Sequence, residues 1–230
     1  MHPILDGIEL VAFDLDGTLI DSVPDLAIAV DAVLAELGLP AAGEARVRDW
    51  VGNGSRVLME RALLFATKAG ASPVSASSAI DGDLLERAHA AFLEHYGRDP
   101  GAHTRLYPGA RECLDALRGR GLPLALVTNK PHAFIAPLLA GFGLEAHFAL
   151  CLGGDSLPEK KPHPAPLRHV AAHFGVAPAA CLMVGDSRHD IAAGRAAGFR
   201  TLAVPYGYNH GEPVRESGPD GVVESLAELV

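Results

Sequence analysis

The chain is short of the residues that staple a protein together or tie it to a charged partner. It has 3 cysteines among 230 residues, Cys113, Cys151 and Cys181, and no two of them form a C-x-x-C pair. A zinc ribbon and a dithiol redox motif are thereby excluded. Each cysteine reads as a small buried hydrophobe in a reducing compartment. Positive charge is scarce too: 19 Lys and Arg stand against 28 Asp and Glu, a formal net charge of -9. Nucleic acid and anionic lipid both attract basic faces, so neither partner is expected. Long apolar runs are missing. The longest uncharged one, Ala133 to Leu144, falls short of the roughly 18 residues a membrane span needs. The first apolar run, Ile8 to Phe13, is short and broken by Glu9, so no signal peptide is expected. The 11 histidines form no H-E-x-x-H motif, which leaves a histidine metal site unsupported. The expected setting is the cytoplasm.

What the chain does have is alternation. Short apolar runs at Leu10 to Phe13, Leu122 to Thr128, His147 to Leu152, Cys181 to Val184 and Thr201 to Val204 read as buried strands. Helix-length segments separate the later ones, beginning near Pro108, Pro131, Pro164 and Arg188, which predicts a parallel sheet covered on both faces. Roughly ninety residues separate Thr18 from Tyr107, far more than an ordinary connection needs. That stretch has helical patterns instead. Leu26, Val30, Val33, Leu34 and Leu37 make one apolar stripe, with Ser22 and Asp25 as a capping box, Pro24 in the first turn and Gly38 as the stop. A second stripe runs through Leu84, Leu85, Ala88, Phe92 and Tyr96, and the small and polar residues between Ala71 and Ala79 read as a loop. The economical reading is a helical lid inserted after the first strand, on hinges near Asp21 and Arg105.

Open parallel sheets bind ligands beyond the carboxyl ends of their strands. There the sequence places Asp14-Leu15-Asp16-Gly17-Thr18, Thr128-Asn129-Lys130 and Gly185-Asp186-Ser187, with Asp190 following and Lys160-Lys161-Pro162 nearby. Gathered aspartates repel one another, and a hard divalent cation such as Mg²⁺ removes that objection. A metal on carboxylates beside a lysine and a threonine suits a phosphoryl group. One aspartate can attack phosphorus, and another two residues along can protonate the leaving oxygen.

These segments, in this order, resemble the four motifs of the haloacid dehalogenase superfamily: Asp14 to Ser22, Thr128, Lys161, and Gly185 to Asp190. Asp16 is similar to the second aspartate of its phosphotransferases. The resemblance implies an α/β fold with a Rossmann-like, three-layer α/β/α core and parallel sheet over residues 1–20 and 105–230. An inserted α-helical cap domain would occupy 21–104. It implies Asp14 as nucleophile and Mg²⁺ ligand, and Asp16 as general acid/base that ligates metal through its main-chain carbonyl. Asp186 would be the third metal ligand, supported by Asp190. Thr128 and Lys161 would bind phosphoryl oxygens with help from Asn129. Narrower features, Trp50 to Gly54, Lys160 to Leu167 and Tyr206 to Glu212, are similar to the bacterial phosphoglycolate phosphatase group. The expected reaction is therefore hydrolysis of 2-phosphoglycolate. The alternatives are hydrolysis of another small sugar phosphate, or a β-phosphoglucomutase-like transfer.

Other residues get plainer readings. Lys130 reads as a solvated charge, and His163 and His189 as spacers or rim contacts. Asn53, in a cap loop expected to face the site on closure, and Arg56, a partner for a substrate carboxylate, are candidate substrate-binding residues. A monomer or a homodimer would both be compatible with the chain.

Overall fold

In the computed structural model, residues 2–70 and 80–230 are described; the stretch from Ala71 to Ala79, read above as a loop, lies outside them. The strands are β1 (Leu10–Phe13), β2 (Ile20–Asp21), β3 (Arg105–Leu106), β4 (Leu124–Val127), β5 (Leu150–Leu152), β6 (Cys181–Gly185), β7 (Arg200–Ala203) and β8 (Gly221–Val222). The helices are α1 (Val23–Glu36), α2 (Glu44–Trp50), α3 (Ser55–Gly70), α4 (Gly82–Arg98), α5 (Ala110–Gly119), α6 (Ile135–Gly141), α7 (Ala165–Phe174) and α8 (Arg188–Ala197).

Every residue of β1 is buried and apolar, as a central parallel strand covered on both faces requires. It pairs in parallel with β4 on one side and β6 on the other, in a six-stranded sheet ordered β5-β4-β1-β6-β7-β8. The strand period of two splits its side chains between layers. Val11 and Phe13 pack with Leu114 and Leu117 of α5 and Leu138 of α6, while Leu10 and Ala12 pack with Leu167 of α7 and Ala193 of α8. The result is the α/β/α layering expected from the sequence. Successive strands leave β1 on one side (β4, β5) and return on the other (β6, β7), so the order of the sheet reverses beside β1. That is where a parallel sheet opens a crevice at its carboxyl edge.

Helices α1 to α4 lie between β2 and β3. Those two short strands pair antiparallel, Ile20 opposite Leu106 and Asp21 opposite Arg105, so both crossings between insert and sheet run side by side. The insert has an apolar cluster of its own, including Val30, Leu34, Leu63 and Phe92. Each such side chain, fully buried, contributes about 1.5–3 kcal/mol.

The structure differs from the sequence reading in several places. Two predicted strands are shorter, because Leu122 and Pro123 precede the β4 ladder and Glu145–His147 forms a 3₁₀ turn before β5. The two-residue strands β2, β3 and β8 and the short α2 offered too few residues for a pattern to register. The capping box does not form. Ser22 makes no side-chain cap bond; its Oγ donates to Asp16 Oδ1 at 2.5 Å. Asp25 instead accepts from the backbone N–H of His103 and Thr104 and from the Thr104 hydroxyl, closing the far end of the insert. Long-range partners outcompete the local cap.

Candidate active site

The carboxyl edge is laid out by the ladder itself. Asp14 N–H donates to Val184 O at 2.9 Å and Thr128 N–H to Leu152 O at 2.9 Å, which extends the pairing one residue past each strand. Asp14, Thr128 and Asp186 thus follow directly on three neighbouring strands. Gly17 turns the chain away from β1 with a φ of 93°, in the left-handed region, and a Cβ there would overlap Asp186 Oδ2. Gly185 is as constrained: a Cβ would strike the Asp190 carboxylate.

Asp14, Asp186 and Asp190 each bring a carboxylate oxygen within 4.8 Å of the others. Lys161 Nζ sits among them, 2.8 Å from Asp14 Oδ1 and 2.6 Å from Asp190 Oδ1. Asp190 Oδ2 also accepts from Ser187 N–H at 3.0 Å and Ser187 Oγ at 2.7 Å, capping α8. Asp186 accepts from Thr18 Oγ1 at 2.8 Å and from Tyr208 N–H at 2.6 Å. One ammonium does not balance three buried acids. Burial pushes the Asp14 carboxyl up to about 7, with repulsion from Asp190 and Asp16 adding to it and Lys161 opposing. Asp186 is held well above the usual carboxylate range by burial and by Asp190 and Asp14. For Lys161, burial works against the charge, but Asp14 and Asp190 outweigh it and hold its pKa above the ordinary value.

Asp16 turns the other way. Its carboxylate takes the Ser22 hydroxyl and Lys130 Nζ, the latter at 3.0 and 3.3 Å from its two oxygens. Lys130 is therefore not the solvated charge that the sequence suggested; it is 5% exposed. Its Nζ also lies 4.5 Å from the ring centroid of Tyr96, on α4 of the insert. Lys130 and Tyr96 are the site residues that sequence reasoning passed over. Lys130 could have been found from its place just past a strand end; Tyr96 reads there only as part of an apolar stripe.

Asp14, Asp16, Thr128, Asn129 and Lys130 line one cavity of about 50 Å³. Asn129 ties its two sides together, its Nδ2 donating at 2.9 Å to Gly52 O of the insert and at 2.9 Å to Lys161 O. The facing wall is largely apolar: Leu26, Val51, Leu58, Phe92 and Phe134. The other two candidates from the insert point elsewhere. Asn53 contacts His189 Nε2 at 2.9 Å and accepts from Arg61 at 2.8 Å, where the insert meets the loop carrying His210. Arg56 is exposed and paired with Glu86. His189 stands in that rim contact, where burial and neighbouring His210 bring its pKa down to about 4; His163 Nδ1 accepts from Ala165 N–H.

The donor set fits a hard divalent cation. It is all oxygen, closely spaced, short of compensating charge, and walled by glycines whose Cβ atoms would fill it. Asp16 could add only its main-chain carbonyl, since its carboxylate is committed to Ser22 and Lys130.

Known proteins resemble the chain over nearly its whole length. The phosphoglycolate phosphatase of Nitrosococcus oceani is 45% identical over 96% of this chain and 94% of its own length. That of Escherichia coli K12 is 45% identical over 98% of this chain and 92% of its own. A crystal structure of a "predicted phosphoglycolate phosphatase" from Haemophilus somnus superposes with a TM-score of 0.91 at 40% identity, covering 97% of this chain and 96% of that one. Residues 8–198 match the family of haloacid dehalogenase-like hydrolases, and the chain belongs to it.

Proposed function

We propose that the protein is a Mg²⁺-dependent phosphomonoesterase that hydrolyses 2-phosphoglycolate to glycolate and phosphate through an aspartyl-phosphate. The observation that carries this is the shared cavity. Asp14 and Asp16 border it on the sheet side, and a largely apolar wall closes it on the other. A polyhydroxylated sugar would leave its hydroxyls unpaired against Leu26, Val51, Leu58 and Phe92, at about 1–3 kcal/mol for each buried group. A two-carbon acid has no hydroxyl to strand. This favours phosphoglycolate over sugar phosphates and over a phosphosugar mutase, and it agrees with the names of the relatives.

Phosphate monoesters hydrolyse extremely slowly in water, so both a strong nucleophile and charge neutralisation are required. In the proposed reaction an Asp14 oxygen bonds to phosphorus as the ester P–O bond breaks, and Asp16 gives its proton to the departing glycolate oxygen. Asp16 then takes a proton from water, whose oxygen attacks phosphorus, and the Asp14–phosphorus bond breaks to release phosphate. Thr128 and Lys161 hold phosphoryl oxygens, and Asn129 keeps the Lys161 segment against the insert loop. A cation held by Asp14, Asp186 and the Asp16 carbonyl, with Asp190 behind them, would neutralise phosphoryl charge. Residues 21–104 act as a cap on residues 1–20 and 105–230, moving on the β2–β3 ribbon. Closed, it excludes bulk water; open, it admits the hydrolytic water and releases product.

No described helix is long and apolar enough to cross a membrane, and a cytoplasmic setting is part of the proposal. The test is phosphate release from 2-phosphoglycolate and from a panel of sugar phosphates, with and without Mg²⁺. Strong Mg²⁺-dependent preference for phosphoglycolate is expected. Equal or better turnover of a hexose phosphate would discard the substrate, and phosphoryl return to a sugar without phosphate release would favour the mutase.

A further inference from the structure

The apolar wall leaves a question that the reaction does not answer. Phosphoglycolate carries a carboxylate at the end away from phosphorus, and burying it unpaired would be costly. A cavity that accepts it must supply donors. Of the polar side chains on the wall, Asp14, Asp16 and Thr128 belong to the phosphoryl end. Asn129 has both amide protons committed, to Gly52 O and Lys161 O. The Ser55 hydroxyl is held by His89 Nε2 at 2.8 Å. Lys130 and Tyr96 remain.

We propose that the Lys130 ammonium and the Tyr96 hydroxyl together form the subsite for the substrate's carboxylate, and so set the preference for phosphoglycolate over esters with an uncharged tail. The proposal rests on the phosphoglycolate reading above. Three observations carry it. An ammonium has three donors, and the Lys130 ammonium makes well-formed hydrogen bonds to the two oxygens of Asp16 alone, at 3.0 and 3.3 Å, with Tyr96 beside it. The Tyr96 hydroxyl is buried, in a residue that is 3% exposed and lines the same cavity; Lys130 lies beside it, and it makes no hydrogen bond of normal geometry. Buried polar groups left unpaired are uncommon, and a ligand that completes them is one physical reason to find one. Third, the substrate's own length matches. For Asp16 to protonate the ester oxygen, that oxygen must lie against its carboxylate, and a single methylene separates it from the carboxylate carbon. An ammonium 3.0 Å from Asp16 is within reach of that end.

The two donors come from different parts of the fold. Lys130 follows β4 of the sheet and Tyr96 belongs to α4 of the insert, with the Tyr96 ring face 4.5 Å from Lys130 Nζ. The carboxylate would therefore be gripped from both sides, and the subsite is complete only when insert and sheet are together.

The experiment compares kcat/KM for 2-phosphoglycolate and for ethyl phosphate, which has the same two carbons and no carboxylate. Wild type is expected to prefer phosphoglycolate. Lys130→Met should cut the preference ratio about 10- to 100-fold, and Tyr96→Phe about 10-fold, the range for losing a hydrogen bond to a charged group. Tyr96→Phe removes a hydroxyl that makes no hydrogen bond of normal geometry within the protein, so its melting temperature should stay close to that of wild type and a loss of ratio at unchanged melting temperature belongs to the ligand. A fall by the same factor on both substrates in both variants would overturn the proposal and leave Lys130 as a positioning residue for Asp16. A wild-type enzyme that turns over ethyl phosphate as well as phosphoglycolate would instead overturn the substrate reading beneath it.

Discussion

On the sheet side of the cavity and just behind it, three aspartates are held by neighbouring donors. Asp186 takes Thr18 and Tyr208, Asp190 takes Lys161 and Ser187, and Asp16 takes Ser22 and Lys130. On the insert side the wall is aliphatic and aromatic, and its one buried hydroxyl, that of Tyr96, makes no hydrogen bond of normal geometry. The sheet edge is a preorganised array of charge whose members fix one another on rigid strand ends. The insert face offers shape and very little polarity. On the function proposed above, the contrast separates two tasks: charge placed to act on any phosphoryl group, and a surface that selects what may be attached to it.

The largest test of that division is at Asp14. Asp14→Asn should lower phosphate release by at least about 10⁴-fold while the far-UV circular dichroism stays native. Activity within tenfold of wild type would remove Asp14 as nucleophile and break the comparison outright. Asp16→Asn comes next, with a loss of about 10²–10⁴-fold in kcat, the usual range for a general acid/base. Its effect should shrink on esters with a good leaving group such as 4-nitrophenolate, and an undiminished loss would mean that Asp16 serves only to hold Lys130.

The charge array should also be visible in stability. The Asp14 carboxyl has an ordinary pKa of 3.8 and is pushed up to about 7 here, mainly by burial. Between those values the native state keeps a proton that the unfolded chain has released. Stability of the metal-free protein should therefore be greatest below about pH 4 as far as this group is concerned, and fall as pH rises to 7, by a few kcal/mol in order of magnitude. Asp186, raised as well, acts in the same direction. Urea unfolding at pH 5 and pH 7.5, with and without Mg²⁺, checks this: added Mg²⁺ should recover stability at the higher pH, and Asp14→Asn should flatten the profile. A metal-free wild-type profile that rises over this range would contradict it. The smallest effect is expected at Arg56, exposed and paired with Glu86. Arg56→Ala should change kcat/KM for phosphoglycolate less than about threefold, as for an exposed ion pair. A tenfold loss would bring the insert's outer surface into substrate recognition and blur the comparison.

How far these features could be read in advance depended on the range of the interaction concerned. Strand β1 was legible to the residue, because a four-residue apolar run followed by Asp-x-Asp-Gly-Thr has few other places to go. The antiparallel ribbon at Ile20–Asp21 and Arg105–Leu106 fell where the hinges were expected, though two residues are too few to read as a strand. Ser22 and Asp25 misled. Their spacing is that of a capping box, but Ser22 bonds Asp16 and Asp25 bonds His103 and Thr104, the latter separated from it by 78 and 79 residues. Lys130 misled for the same reason, since its anionic partner Asp16 lies 114 residues away. Asn53 and Arg56 were expected to face the substrate, but which way each side chain turns was decided by His189, Arg61 and Glu86.

The sequence by itself determined the succession of the five longer strands and the helices between them, the helical insertion, the family, and the set of aspartates on the carboxyl edge. All of these follow from local periodicity and from short motifs that carry their own geometry. Only the tertiary structure decided that Asp190 is locked to Lys161, that Asp16 is held between Ser22 and Lys130, and that Tyr96 lies over that lysine. Those are contacts between buried charges and dipoles far apart in the chain. A buried lysine or tyrosine takes its character from whatever partner the fold brings within about 3–5 Å, because at low dielectric that partner outweighs every sequence neighbour.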